Sequence, residues 1–386
     1  VRVALVHYWL VNHRGGEKVL EAICRLFPEA DIFTLFYEPE AVSPFIRSRK
    51  IHASGLNPLR RFYRSLLPLM PVALESFDLR AYDLVISSES GPAKGVLTSS
   101  TTEHFCYCHT PMRYLWELFP AYRNDYPGNP IRNALFAPIA SYLRTWDYAT
   151  AARVDGFMAN SRNVKRRIRK TWRRRSLLVY PPVATDTFHC GPARDYSLTV
   201  SELVPYKRLD YAVRAFARSG RRLRIVGDGP EYRSLRRLAA ANVEFCGRVS
   251  DDELRDLYSH CSEFIVPGEE DFGMSSVEAL ASGKPVVALA RGGSLEIVGN
   301  GCGILYAEPD ETCLNEALRS LDRVRPLLQP ERMVSRAGRF SEAVFATRFT
   351  QALARLRTDC TDPGDGASES LSDRRQKRGP ARVAAD

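Results

Sequence analysis

Short apolar runs alternate with longer amphipathic stretches along most of this chain, and that alternation restricts the fold more than any other feature. VRVALV (1–6), DLVIS (83–87), HFCYC (104–108) and GFMAN (156–160) form one series. YSLTVS (196–201), RLRIVG (222–227), NVEFCG (242–247), EFIVP (263–267) and PVVAL (285–289) form a second. Runs this apolar read as strands buried on both faces, and strands separated by helices of about ten residues or more pair in parallel, with the helices covering the sheet. Between the two series lies YPPVATDTFHCGPARDY (180–196), rich in proline and without periodicity, which reads as a linker. A chain of 386 residues also exceeds what one hydrophobic core usually serves. The expected architecture is therefore α/β, with two doubly wound domains over residues 1–183 and 184–357 facing each other across a cleft. Helix QALARLR (351–357) is expected to end the folded body and is free to pack back on the first domain. Residues 358–386 hold almost no large apolar side chain and are expected to be disordered.

Composition narrows the class of partner. The formal charge is +10, from 55 basic and 45 acidic residues, which favours phosphate-bearing ligands or an anionic membrane surface. No apolar run approaches the ~20 residues needed to span a bilayer. The opening VRVALVHYWL enters a strand directly, so no signal peptide is expected. Nine cysteines are scattered over the chain, and Cys106 and Cys108 lack partners at zinc-like spacing. Reduced core thiols, a cytoplasmic location and no metal site are the expectation.

The segment PGEEDFGMSSVEALASGKPVVALARGGSLEIV (267–298) carries the most chemistry. It reads as a loop, a helix N-terminus, a helix, a glycine turn and a buried strand. Glu270 and Glu278 bracket the turn that opens the helix, with Phe272, Gly273, Met274 and Ser275 between them. Gly273 allows a ligand close to the backbone, and the first N–H groups of the helix favour an anion. An acidic residue beside an anion-binding turn suits an uncharged neighbour of the phosphate, such as sugar hydroxyls, two of which one carboxylate can accept. Together these groups suit a ligand that is part sugar and part diphosphate.

EDFGMSSVEALASGKPVV closely resembles the Glu-x7-Glu signature of retaining glycosyltransferase family four, the glycosyl transferases of group 1, whose GT-B fold joins two Rossmann-like domains across a cleft. Four further segments follow in that family's order, and the resemblance covers roughly residues 1 to 350. In HYWLVNHRGGEKVLEAICRLF, Gly15 and Gly16 match the loop that the family places against the donor diphosphate. YCHTPMRYLWE (107–117) is similar to the family's His-Thr-Pro-x-Arg-Tyr segment, which implies that His109 lies near the transferred sugar. His7 and His13 are weaker candidates. SELVPYKRLDYAVRAF (201–216) resembles the family's Arg-Leu-x-x-x-Lys segment. Lys207 matches its diphosphate-binding lysine and Arg208 is placed to share the anion, but Glu202 stands where the family commonly has arginine. In LRIVGDGPEYRSL (223–235), Gly227 belongs to a Gly-Asp-Gly-Pro turn on the nucleotide side of the family's cleft, and Val249 belongs to the loop that borders the nucleobase.

The resemblance implies a retaining, metal-independent hexosyltransferase with no cofactor beyond a nucleotide-diphosphate sugar. Bacterial mannosyltransferase-like members of polysaccharide and lipopolysaccharide assembly are the nearest in character, making GDP-mannose the first donor expected. In that setting Glu270 holds sugar hydroxyls, Glu278 holds the ribose, and the acceptor is a glycan or lipid-linked sugar. Two basic segments with interleaved aromatic residues read either as contacts to an anionic inner membrane face or as solvated helix faces. They are LNPLRRFYRSLLPLMPVAL (56–74) and VKRRIRKTWRRR (164–175), the latter offering Trp172 for interfacial contact. Nucleic acid is not expected, because no recognised nucleic-acid module accompanies the charge. The competing readings are a GT-B nucleotide-sugar epimerase and a non-catalytic nucleotide-sugar-binding or membrane scaffold. A dehydrogenase is disfavoured, because the Gly227–Gly229 turn lacks the third glycine of a dinucleotide fingerprint.

Overall fold

The computed structural model describes residues 1–120 and 130–361. Its first sheet contains β1 (Val3–His7), β2 (Asp31–Thr34), β3 (Ile51–Ala53), β4 (Leu84–Glu89), β5 (Glu103–Cys108), β6 (Gly156–Ala159) and β7 (Leu177–Leu178). Their order is β3-β2-β1-β4-β5-β6-β7, and every pair is parallel. The second sheet contains β8 (Ser197–Val200), β9 (Leu223–Val226), β10 (Val243–Gly247), β11 (Glu263–Val266), β12 (Val286–Leu289) and β13 (Gly303–Tyr306). It runs β10-β9-β8-β11-β12-β13, again parallel throughout.

Each apolar run singled out in the sequence is a strand. Four others were not expected: β2, β3, β7 and β13. Two of them, β3 and β7, have three residues or fewer and lie at or beside a sheet edge, so they carry too few apolar positions to register as runs. Edge strand β13 opens with Gly303 and is only partly buried.

Both sheets reverse direction beside their first strand, since β1 pairs with β2 and β4, and β8 pairs with β9 and β11. Successive crossovers there run to opposite faces of the sheet, leaving a crevice beyond the carboxyl ends of the strands where ligands bind. The two crevices face each other. Apolar helix faces seal the sheets from both sides; Val19, Leu20 and Ile23 of the Gly15–Leu26 helix, for example, are buried against β1 and β2.

The C-terminal helix runs over Glu342–Thr361, longer at both ends than expected. Its Phe345, Phe349, Leu353 and Leu356 are buried with Ile23, Phe105 and Met158 of the first domain. The chain therefore crosses between the domains twice, and the crossings touch where the Val183 N–H donates to the Phe340 carbonyl at 2.9 Å. Residues 362–386 of the expected tail lie outside the described residues.

The two basic segments differ from each other. Residues 57–69 form a tight helix with Leu59, Phe62 and Leu69 exposed, followed by Met70–Glu75 with Val72 exposed. In the second segment the Arg162–Trp172 helix buries Val164, Ile168 and Trp172. Trp172 is thus unavailable for interfacial contact: it is 2% exposed, donates to Asp147 Oδ2 at 2.8 Å and lies under the Lys94 ammonium. Its spacing from Val164 and Ile168 puts all three on one helix face, which the surrounding arginines disguise. Among the described residues no helix is long and apolar enough to cross a membrane, and Cys24, Cys106, Cys108, Cys190, Cys246, Cys261, Cys302 and Cys313 are free.

Candidate active site

A cleft of about 1030 Å³ opens between the domains. Its walls come from the segments that follow β1, β2 and β3 of the first sheet and β8, β9, β10 and β11 of the second. Of the residues singled out in the sequence, it gathers Gly15, Lys207, Gly227, Val249, Glu270, Gly273, Met274, Ser275 and Glu278.

The Met274–Ala281 helix begins at the wall. Gly273 is its N-cap with φ of 103°, a left-handed conformation that glycine adopts without strain, and no side chain caps the first turn. The first N–H groups therefore belong to cleft-lining residues, where the helix dipole favours negative charge. Opposite, a Cβ added to Gly15 would come within 3.0 Å of Met274 Sδ, so the glycine loop of the first domain closes directly on this helix end.

Glu270 and Lys207 meet at 2.5 Å. Burial alone depresses the lysine pKa, but the Glu270 carboxylate outweighs it, and the net shift is upward. Lys207 is therefore a cation held in the cleft. Glu278 accepts from the buried Tyr258 hydroxyl at 2.9 Å and from Lys18 Nζ of the first domain at 3.3 Å. That carboxylate is the main reason the Lys18 pKa is raised.

The loop carrying Glu270 is held from both sides. Its neighbours Glu269 and Asp271 both bind the Arg167 guanidinium of the first domain, Glu269 at 2.7 Å. Arg167 is only 8% exposed and also reaches Glu117 at 2.8 Å. Behind the loop, the Gly293 N–H donates to the Glu270 carbonyl at 2.9 Å. A Cβ on Gly293 would stand 1.9 Å from the Phe272 carbonyl oxygen, so that backbone approach demands glycine.

Residues 192–338 match the family described as glycosyl transferases group 1. That match lies within the second domain. A glycosyltransferase of Methanocaldococcus jannaschii described as uncharacterized is 31% identical over a stretch covering 42% of this chain and 47% of the relative. The GDP-mannose-dependent alpha-(1-6)-phosphatidylinositol monomannoside mannosyltransferase of Mycobacterium tuberculosis is 34% identical over 39% of this chain and 45% of its own. The chain thus spans less than half the length of these relatives. In fold it is similar to the Anabaena protein HepE solved in complex with UDP, with a TM-score of 0.64 at 16% identity, over 92% of this chain and 100% of that one. The described residues have the GT-B fold.

Four of the residues expected at the site lie outside the cleft lining. Gly16 is packed against the Tyr8 hydroxyl, where a Cβ would clash. Arg208 is exposed and left-handed at φ of 53°; its guanidinium bonds Asp210 at 3.1 Å and lies over the Tyr211 ring. Phe272 is core, between Tyr180 and Phe340. His109 follows β5, and its Nε2 bonds Ser88 Oγ at 2.8 Å, while His7 Nδ1 meets the same oxygen at 3.1 Å. Burial pushes the His109 pKa down to about 3, with His7 adding to the effect, so the ring is neutral.

Several residues that complete the arrangement were not legible as site residues in the sequence. Arg14 and Lys18 reach across from the Gly15–Leu26 helix to Glu202 and Glu278 of the second domain. Arg167 was hidden in a basic run, though its spacing from Val164 and Ile168 puts it near their buried face. Gly292 and Gly293 stood in the quoted segment without a role, and their pairing just before a helix was the available signal.

Proposed function

We propose that the cleft binds a nucleotide-diphosphate sugar and that the protein transfers the sugar, with retention, to a glycan or lipid-linked acceptor. The observation that carries this reading is the meeting of an uncapped helix end, the Gly15 loop and the Lys207–Glu270 pair around one cleft. As the bond from the anomeric carbon to the diphosphate breaks, negative charge grows on the leaving oxygens. Lys207 and the N–H groups of Met274 and Ser275 stabilise that charge in place before the reaction starts. They supply the positive potential that transfer without a metal ion requires. Glu270 accepts from sugar hydroxyls and exchanges part of its contact with Lys207 for them; Glu278 accepts from the ribose. The acceptor attacks from the side of the leaving group, and the departing diphosphate takes its proton. His109, neutral and held by Ser88, borders the transferred sugar.

GDP-mannose is the first donor to test, supported by the mannosyltransferase names among the relatives. Synthesis of cell-surface polysaccharide or lipopolysaccharide is the matching role. A UDP-sugar is the second reading, favoured by the UDP held in the HepE structure. Peripheral contact with the inner membrane face suits the segment 56–74 through its exposed Leu59, Phe62, Leu69 and Val72, while its Arg60, Arg61 and Arg64 line the cleft.

A thermal-shift panel of GDP, UDP, ADP and their sugar conjugates separates the donors, since a ligand bound only by the native state raises the melting temperature. Selective stabilisation by GDP and GDP-mannose supports mannosyl transfer, and a response to UDP alone replaces the donor. Glu270→Gln is expected to keep the fold and lower turnover by roughly a hundredfold or more, the usual scale for losing one preorganised polar group. Wild-type turnover in that variant would end the assignment.

A further inference from the structure

Besides Glu270 and Glu278, the acidic residues Glu38, Glu40, Glu202 and Asp228 line the cleft. Glu202, just after β8, lines the same wall as Lys207, where its carboxylate would repel a diphosphate. It is not left unbalanced. Arg14 Nη1, from the first domain, donates to Glu202 Oε2 at 2.5 Å across the cleft. Arg14 is the N-cap of the Gly15–Leu26 helix, so its backbone sits at the glycine loop that closes on Met274. Its own N–H is tied to Glu17 Oε2 at 2.8 Å, which fixes the point from which the side chain extends.

We propose that Arg14 is a diphosphate-binding residue supplied from the opposite domain, and that Glu202 is the positioning residue that aims it. A guanidinium has five N–H donors in a rigid fork, and the contact to Glu202 runs through Nη1 alone. The remaining donors are free to bind phosphate oxygens while the contact to Glu202 persists. Arg14 neutralises the Glu202 carboxylate and brings further N–H donors to the cleft that Lys18, Lys207 and Arg248 also line. Because the contact spans the cleft, it also links anion binding to closure of the two domains. The inference rests on the donor reading proposed above, and it predicts which cation that donor needs.

The test is calorimetric binding of GDP, UDP and the matching nucleosides to the full chain and to its Arg14→Gln, Arg14→Lys and Glu202→Gln variants. Charge-assisted hydrogen bonds of this kind contribute about 1.5–3 kcal/mol, so Arg14→Gln should weaken binding of the preferred nucleoside diphosphate by roughly ten- to a hundredfold. Nucleoside affinity should stay unchanged, because no phosphate is present. Arg14→Lys should recover part of the loss, and Glu202→Gln should cost less than Arg14→Gln. The Arg14–Glu202 contact is half-exposed on the arginine side, so unliganded melting temperatures should change little. Equal diphosphate affinity in wild type and Arg14→Gln would overturn the assignment while leaving the donor reading intact. A larger loss in Glu202→Gln than in Arg14→Gln, or an equal loss of nucleoside affinity, would overturn it too. Absence of diphosphate binding by the unaltered protein would overturn the donor reading and this assignment with it.

Discussion

His109 and His104 are both held neutral by burial, and each has its pKa lowered to about 3. Their hydrogen-bond partners are serine hydroxyls, Ser88 for His109 and Ser87 for His104, at 2.8 and 3.0 Å. An unfolded chain protonates such rings near pH 6.5, whereas the folded chain resists until about pH 3, so the unfolded state binds more protons across that window. The stability they contribute is complete above pH 6.5 and is lost as the pH falls toward 3. Glu89 acts in the opposite sense: burial raises its pKa to about 7, so its ionisation costs stability as the pH rises from 4.5 to 7. Well below pH 6 the histidines should dominate, each giving a slope of about 1.4 kcal/mol per pH unit. Denaturant unfolding of wild type and His109→Gln between pH 4 and 7 measures this. The variant should lose roughly half of the histidine slope; an unchanged slope would mean that His109 is protonated in the folded protein.

At the scale of elements, three successive acids are divided between two domains. Glu270 turns to Lys207 of its own domain, and its neighbours Glu269 and Asp271 turn to Arg167 of the other. Helix Arg162–Trp172 is bound a second time by Glu296, which accepts the N–H groups of Arg162 at 2.9 Å and Asn163 at 3.2 Å. The helix and the Glu270 loop therefore move together, and a loss on one should be felt on the other. Arg167→Met removes a buried cation and leaves Glu269 and Asp271 without it. Breaking a buried pair costs about 3–5 kcal/mol, and the low end applies because both carboxylates remain partly exposed. A fall in unfolding free energy of about 3 kcal/mol should accompany a fall in turnover. A stable variant with normal turnover would show that Arg167 neither anchors the loop nor joins the domains.

Over the whole molecule, the last helix decides how the domains unfold. Phe345, Phe349, Leu353 and Leu356 complete the core of a domain that began some three hundred residues earlier, so the first domain cannot close without the end of the folded chain. Gly156 in β6 is shaped for this contact, since a Cβ there would stand 2.8 Å from Leu356 Cδ2. Phe349 is fully buried, and Phe349→Ala should cost about 3–5 kcal/mol. Because the helix follows the second domain directly, that loss should also change how far the two domains unfold together. Chemical denaturation read by tryptophan fluorescence checks it. All four tryptophans, at positions 9, 116, 146 and 172, lie in the first domain, so fluorescence reports on that half and circular dichroism on both. A shift below 1 kcal/mol would show that the helix merely rests on the surface.

What the sequence determined by itself was local and periodic. Buried parallel strands announce themselves as apolar runs, and Gly273 with its flanking glutamates marks a helix end suited to an anion wherever the chain places it. Those signals were enough for the two doubly wound sheets and for the part of the cleft wall around Gly273. The short strands β3 and β7 and the burial of Trp172 were not legible, because each depends on neighbours distant in sequence. The partner of Glu202 belongs to the same class. Its carboxylate looked out of place beside Lys207 until the fold brought Arg14 to it across 188 residues of chain. Charges are long-ranged and carry no periodicity, so only the tertiary structure decides which of them meet.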